Sequence, residues 1–286
     1  MADRTCVTLF VPGKPKSFAA WRSALAKTKL TISNDVLSGL GFEVKVEFIE
    51  NDGSFGQAFS FGTVEAEQVE AIEAAPGALV LSLPVELNKG RSEISKLAKA
   101  LETCGALAIR IEQSKLGFAI ARWRELIDEP WSLHRLAVVM LTDRERVTSC
   151  GMHVFSLPDA QLELDDDTDA QAADAFLSSL NVYQFMEHPL LLTGHRFAPD
   201  SETPQRVLER WPDATYGGDH PCHNPFGVWR VGAANSPPRS PGALAFVFMP
   251  ALAAVLTAAE TKAGKRLTKK QVEAIQNVEK SLANDY

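Results

Sequence analysis

The stretch Gly77-Ala-Leu-Val-Leu-Ser-Leu83, followed by Ile94, Leu97, Ala98 and Leu101 and then by Cys104-Gly-Ala-Leu-Ala-Ile-Arg-Ile111, decides the fold. Its outer segments are apolar runs of strand length, and the four apolar residues between them recur at helical spacing. Gly105 supplies the stop that a helix needs before the chain returns. The segment reads strand, helix, strand.

Working outward, Thr5–Val11 reads as a first strand, and Phe18, Trp21 and Leu25 mark a helix before the polar turn Ser33-Asn34-Asp35. Phe42-Glu-Val-Lys-Val-Glu-Phe48 alternates apolar and charged residues, and Asn51-Asp52-Gly53 predicts a hairpin to a second strand at Gln57–Gly62. Thr63 caps a short helix that Pro76-Gly77 ends. On the other side, Leu116, Ile120, Trp123 and Ile127 form a helical stripe with Ser114 as its cap, and Leu136–Leu141 reads as a buried strand. Thr168 and Gln171 have capping-box spacing ahead of a helix carrying Phe176, Leu177, Leu180 and Tyr183. From Glu187 to Pro241 the chain is irregular, with a helix expected at Thr203–Trp211 and a strand at Val228–Val231. A strand at Leu244–Met249, a helix from Ala251 and a helix bearing Val272, Ile275, Val278 and Leu282 close it.

This order predicts an α+β protein, with mixed sheets and helices on one face. The length of 286 residues suits two halves, 1–150 and 151–286, or one interlocked domain. Val80-Leu-Ser-Leu-Pro84 and Val154-Phe-Ser-Leu-Pro158 echo each other, which raises the alternative of two related, ferredoxin-like halves.

Composition narrows the function. A net charge of −7 disfavours nucleic acid and anionic membranes as partners and leaves a basic protein partner open. Cys6, Cys104, Cys150 and Cys222 form no C-x-x-C pair, so reduced thiols in a cytoplasmic protein are the expectation. The first strand starts too early to leave room for a signal peptide, and the apolar run Ala243–Ala259 is interrupted by Pro250, so no membrane span is expected.

The segment that stands out chemically is His220-Pro-Cys-His-Asn-Pro-Phe-Gly-Val-Trp-Arg230, since four of the six histidines fall between His188 and His223. Imidazole and thiolate bind metals and activate nucleophiles. The flanking prolines, however, prevent His220 and His223 from sharing a helix face, so a proline-braced loop is preferred, with no metal or other cofactor. In that reading the histidines bond backbone carbonyls, Phe226 and Trp229 enter the core and Arg230 meets a carboxylate. Glu112 and Lys115 lie at the end of a strand, where they either line a crevice or are solvated. Seven carboxylates between Asp159 and Asp174, Asp165 and Asp167 among them, place Ala170 and Phe176 where a calcium loop needs Gly and Glu, and read as a docking surface or a solvated turn. Neither phosphate-loop nor serine-hydrolase motifs are present, and no catalytic residue is assigned.

Leu107–Gly117, Ser149–Asp159 and His220–Arg230 are similar to segments of an uncharacterised bacterial family of domains of unknown function. Some similar members accompany secreted toxins as immunity proteins. The resemblance covers most of the chain after Gly77; it implies an α+β fold and a partner that is a secreted toxin domain, and it supplies no catalytic residue. The expectation is a protein-binding module that inhibits a toxin, with Glu112, Lys115, Asp165, Asp167, His195, His220, His223, Trp229 and Arg230 as candidate binding residues. The alternative is an enzyme whose pocket gathers Glu112, Lys115, His195, His220, Cys222 and His223, such as a metal-assisted hydrolase.

Overall fold

A computed structural model describes residues 5–60, 62–129, 132–164 and 168–233. Asp165, Asp167 and the closing elements expected from Leu244 onward lie outside the described residues. The chain is α+β, and its described residues form two compact units between which it passes repeatedly rather than once: those from 5 to 139, 150–158 and 213–226 belong to the first, and those from 140 to 149, 159 to 212 and 227 to 233 to the second.

In the first unit the strands are β1 (Val7–Gly13), β2 (Thr31–Ser33), β3 (Val36–Ser38), β4 (Val44–Glu50), β5 (Gly62–Thr63), β6 (Gly77–Leu83), β7 (Ala108–Ile111) and β8 (Gly117–Ala119). Its helices are α1 (Phe18–Ala26), α2 (Phe55–Ala58), α3 (Ala66–Glu73), α4 (Arg91–Thr103), α5 (Ile120–Asp128) and α6 (Leu133–Ala137). The sheet order is β2-β3-β4-β6-β1-β7-β8-β5. The strand, helix, strand unit of the sequence is β6-α4-β7, and β1 lies between its two strands, antiparallel to both. With α1 and β4 this gives the connectivity β-α-β-β-α-β around a central β1, a split βαβ arrangement.

Side-chain alternation assigns the faces. Phe10, Ala78 and Ala108 pack against Phe55, Phe59 and Ile72, so α2 and α3 cover one face. Gly13 lies under the Trp21 indole and Phe48 stacks on Phe18, which sets α1 on the other.

Several local expectations are corrected here. The segment expected as a strand at Gln57–Gly62 starts as the helical turn α2, because Asp52 accepts hydrogen bonds from the Ser54 amide and hydroxyl, and Phe55 and Phe59 are spaced to bury one helical side. Strand β4 pairs instead with β3 and β6. The cap of α3 is Glu65, in a capping box with Gln68, rather than Thr63. Leu116 and Ser114 precede a short strand, β8, and do not belong to the helix; α5 begins at Ile120. The apolar run at Leu136–Leu141 divides into the end of α6 and the start of β9.

The second unit holds β9 (Val139–Thr142), β10 (Arg146–Cys150), β11 (Asp159–Glu163), α7 (Ala170–Glu187), β12 (Arg196–Phe197), β13 (Arg206–Trp211) and β14 (Val228–Val231), in the sheet order β12-β13-β14-β11-β10-β9. Strands β11 and β14 are parallel, whereas β13 and β14 are antiparallel. Helix α7 lays Phe176, Leu177, Leu180 and Tyr183 against Leu162, Phe197, Leu208 and Trp229. Its N-cap is Asp169, whose carboxylate accepts from the Ala172 amide.

Thr203–Trp211, expected as a helix, contains the strand β13. Asp200 accepts from the amides of Glu202 and Thr203 and turns the chain, and Pro204 follows; β13 then gains pairing partners on both edges. Arg206 is buried, donating to Thr168 Oγ1 at 2.7 Å and to the Gly232 carbonyl at 3.1 Å, and so fixes the strand's start.

Candidate functional site

In the first unit, the loop 213–226 is braced by its own side chains. Asp213 accepts from the Asn224 amide at 2.8 Å, and Asn224 donates to the Leu157 carbonyl at 3.0 Å. His223 Nδ1 lies 3.0 Å from the Tyr216 carbonyl, and the His220 ring stacks on Tyr216 at 4.7 Å. The Cys222 amide donates to His220 Nδ1 at 3.2 Å. Both imidazoles are thus engaged by backbone groups of the loop that carries Cys222. Among the described residues no group of three or more His, Cys, Asp or Glu side chains is placed to hold a metal ion.

Beneath this loop lies a feature that the sequence did not reveal. Cys150 and Cys222 are both buried, and Cys150 Sγ lies 4.0 Å from the Cys222 carbonyl oxygen. Cys150 Sγ also lies 3.3 Å from the Gln113 carbonyl. Gln113 itself is pinned, since its Oε1 accepts from the Thr8 amide at 3.0 Å. Cys150 is followed by Gly151, with φ of 116°, where a Cβ would lie 1.8 Å from the Ala137 carbonyl oxygen. Only glycine permits this close approach, so the backbone just after the thiol is fixed. The same turn places His153, whose Nε2 lies 3.1 Å from the Pro221 carbonyl.

The electrostatics favour a thiolate. The hydrogen bond from Cys150 draws the Cys222 pKa down to about 7, Lys115 and His153 act in the same direction, and burial and Glu112 oppose them. Glu112 and Lys115 occupy the β7–β8 turn, which Lys115 makes possible by adopting φ of 61°. Glu112 is held between two cations, with Arg110 Nε and Lys115 Nζ each at 2.7 Å, so this corner carries a net positive charge. A recess of about 160 Å³ lies beside the loop 213–226, lined by Cys6, Gln113, His153, Pro221 and His223 among others.

The other predicted residues belong to the second unit. His195 is buried and structural, its Nδ1 accepting from the Leu192 amide at 3.3 Å. Trp229 is a core residue and no surface anchor: it is 3% exposed, and its Nε1 donates to Gln184 Oε1 at 3.0 Å. Arg230, one residue on, faces outward, with its guanidinium carbon 4.4 Å from the centroid of Trp211. Trp211 also donates to Glu209 at 3.4 Å, and the β13–β14 register sets Glu209 opposite Arg230. Beside β13 the preceding segment continues the pairing, with Gly194 donating to Leu208 and the Arg210 amide to Thr193 Oγ1. Leu192 and Leu190 come just before it. Among the described residues Leu190, Leu192 and Trp211 are the most exposed large apolar side chains.

Comparison of the chain with protein-family models, with curated proteins and with solved structures finds no match. No helix among the described residues is long and apolar enough to cross a membrane.

Proposed function

We propose that this protein works by binding another protein through the face that carries Trp211 and Arg230, as an immunity-type inhibitor of a secreted toxin domain. The observation that carries the reading is the exposed Trp211 indole, which lies against the Arg230 guanidinium and donates to Glu209. Tryptophan and arginine dominate the energetics of protein interfaces, and a side chain already fixed in place loses little entropy on binding. Leu190 and Leu192 add exposed apolar surface in the same unit. The net charge of −7 speeds encounter with a cationic partner. The assignment to toxin inhibition rests on the family resemblance of the quoted segments.

The test uses the full chain as bait for the secreted proteins of the cells that make it, beside Trp211→Ala and Arg230→Glu. One protein is expected to be retained by the unaltered chain and to bind Trp211→Ala at least about 30-fold more weakly, as befits an anchor worth about 2 kcal/mol. Its toxic activity should fall in proportion to the chain added. Equal retention by all three baits overturns the reading.

A second reading, an enzyme with a histidine, cysteine and glutamate pocket, draws support from one place only, the Cys222 thiol in its cationic corner. His195, His220 and His223 serve backbone groups instead.

A further inference from the structure

We propose that Cys150 and Cys222 form a redox-active dithiol, in which Cys222 attacks a small hydroperoxide and Cys150 resolves the product as an intramolecular disulfide. The two cysteines are 72 positions apart in sequence, yet Cys150 Sγ lies 4.0 Å from the Cys222 carbonyl oxygen, which brings the two thiols into one buried pocket of the fold. Each is carried on a braced segment: Cys150 by the fixed glycine and the Gln113 carbonyl, Cys222 by the Asp213, His220 and Asn224 contacts of its loop. This proximity is what a C-x-x-C motif achieves locally, reached here through the fold.

The roles follow from the surroundings. Thiolate is the nucleophile, and Cys222 receives the hydrogen bond and faces Lys115 and His153, with Glu112 as the opposing charge. Cys150 has the Gln113 carbonyl, 3.3 Å away, as an acceptor for its proton, and keeps that proton until the second step. Pro221 and His223, the neighbours of Cys222, line the small recess, which suits an oxidant of peroxide size. Cys104, by contrast, has its pKa raised by burial, which suppresses its thiolate.

In the first step the Cys222 thiolate attacks one peroxide oxygen, the O–O bond breaks and the alcohol (water, for hydrogen peroxide) leaves with the proton that Cys222 had released. Cys222 is then a sulfenic acid. In the second step the Cys150 sulfur attacks it, forming the S–S bond and expelling water, which carries the Cys150 proton. Two thiols and one hydroperoxide thus give one disulfide, one alcohol and one water, with two electrons passing from sulfur to oxygen. A dithiol reductant restores the starting state.

The experiment treats the full, reduced chain with one equivalent of hydrogen peroxide and maps the non-reduced peptides by mass spectrometry. The expected product is 2 Da lighter, has lost two titratable thiols and contains a Cys150–Cys222 link. Alkylation of Cys222 by iodoacetamide, followed peptide by peptide, should rise with pH through a midpoint near 7 and outpace that of Cys104 at least tenfold. In Cys150→Ser, dimedone should trap sulfenic acid on Cys222; Cys222→Ser should yield neither adduct nor link. Peptide mapping of the unaltered chain needs no variant to fold, so it decides the matter by itself. Oxidation confined to Cys6 or Cys104, a link between other cysteines, or bonds only between chains overturns the proposal.

Discussion

The ring of Trp21 occupies the space where a side chain at residue 13 would stand: a Cβ built on Gly13 would lie 2.5 Å from the indole. Gly13 pairs with Gly77 across β1 and β6; Trp21 of α1 fills the space over Gly13, and the Phe48 ring of β4 fills that over Gly77. Because Trp21 is fully buried, neither partner has room to yield. Gly13→Ala is therefore expected to cost about 1–3 kcal/mol in urea denaturation. Trp21→Phe removes much of the clash, so the double variant should lose less than the sum of the two single losses. Strict additivity would show that this contact does not matter.

Two tryptophans of the second unit should behave oppositely. Trp229→Ala empties a core position and is expected to cost about 3–5 kcal/mol. Trp211→Ala, at an exposed site, should change stability by about 1 kcal/mol or less. Thermal melts of both variants check this, and a large loss for Trp211→Ala would mark that side chain as framework.

The buried Arg206 depends on Thr168 for one of its hydrogen bonds. Thr168→Val preserves the shape but removes the acceptor, and is expected to cost about 1.5–3 kcal/mol, as for hydrogen bonds to charged groups. Thr168→Ser, which keeps the hydroxyl, should cost less. Equal losses in denaturant titrations would locate the effect in the methyl group.

Acid should weaken the fold through its turn aspartates. Asp200 is held below the usual aspartate range chiefly by hydrogen bonding from Thr203, Asp52 by Ser54 and Asp143 by the Glu145 amide. A carboxylate whose pKa is depressed on folding adds stability that is complete above its unfolded value of about 3.9 and is lost as pH falls through its folded value. The thermal midpoint should accordingly be insensitive to these groups above about pH 5 and fall below about pH 4. Asp200→Asn, which no longer titrates, should show a shallower fall, and an unchanged acid slope would refute its contribution.

Regular periodicity made the centre of the first unit legible. In β6-α4-β7 the period changes from strand to helix and back without conflicting signals, and α7 was marked by its apolar stripe. Legibility failed where side chains capture backbone groups, as at Asp52 and Asp200, since these turns decide whether the next residues are helix or strand. Arg206 misled in a similar way, because a charge on a strand that buries its guanidinium looks like the polar face of a helix. The histidine loop was read in advance as a braced structure, with Cys222 a member of the alternative enzyme pocket, but the approach of Cys150 was not foreseen, since the two cysteines meet only in the folded chain. The local hint was the glycine after Cys150, and nothing near it in sequence points to residue 222. Arg230 and Trp229 were both read as candidate binding residues, but strand alternation turns Arg230 outward beside Trp211 and Trp229 into the interior, and Trp211 meets Arg230 only through the pairing of β13 with β14.

The interleaving of the two units imposes an order on biosynthesis. Residues 213–226 belong to the first unit, yet they leave the ribosome after β13 of the second has been made. A nascent chain released or cleaved anywhere before residue 226 lacks the last piece of its amino-terminal unit as well as β14, the strand between β13 and β11. Co-translational folding cannot finish one unit and then begin the other; both reach completion in the same late interval, and premature termination leaves two unfinished units where a beads-on-a-string protein would leave one intact.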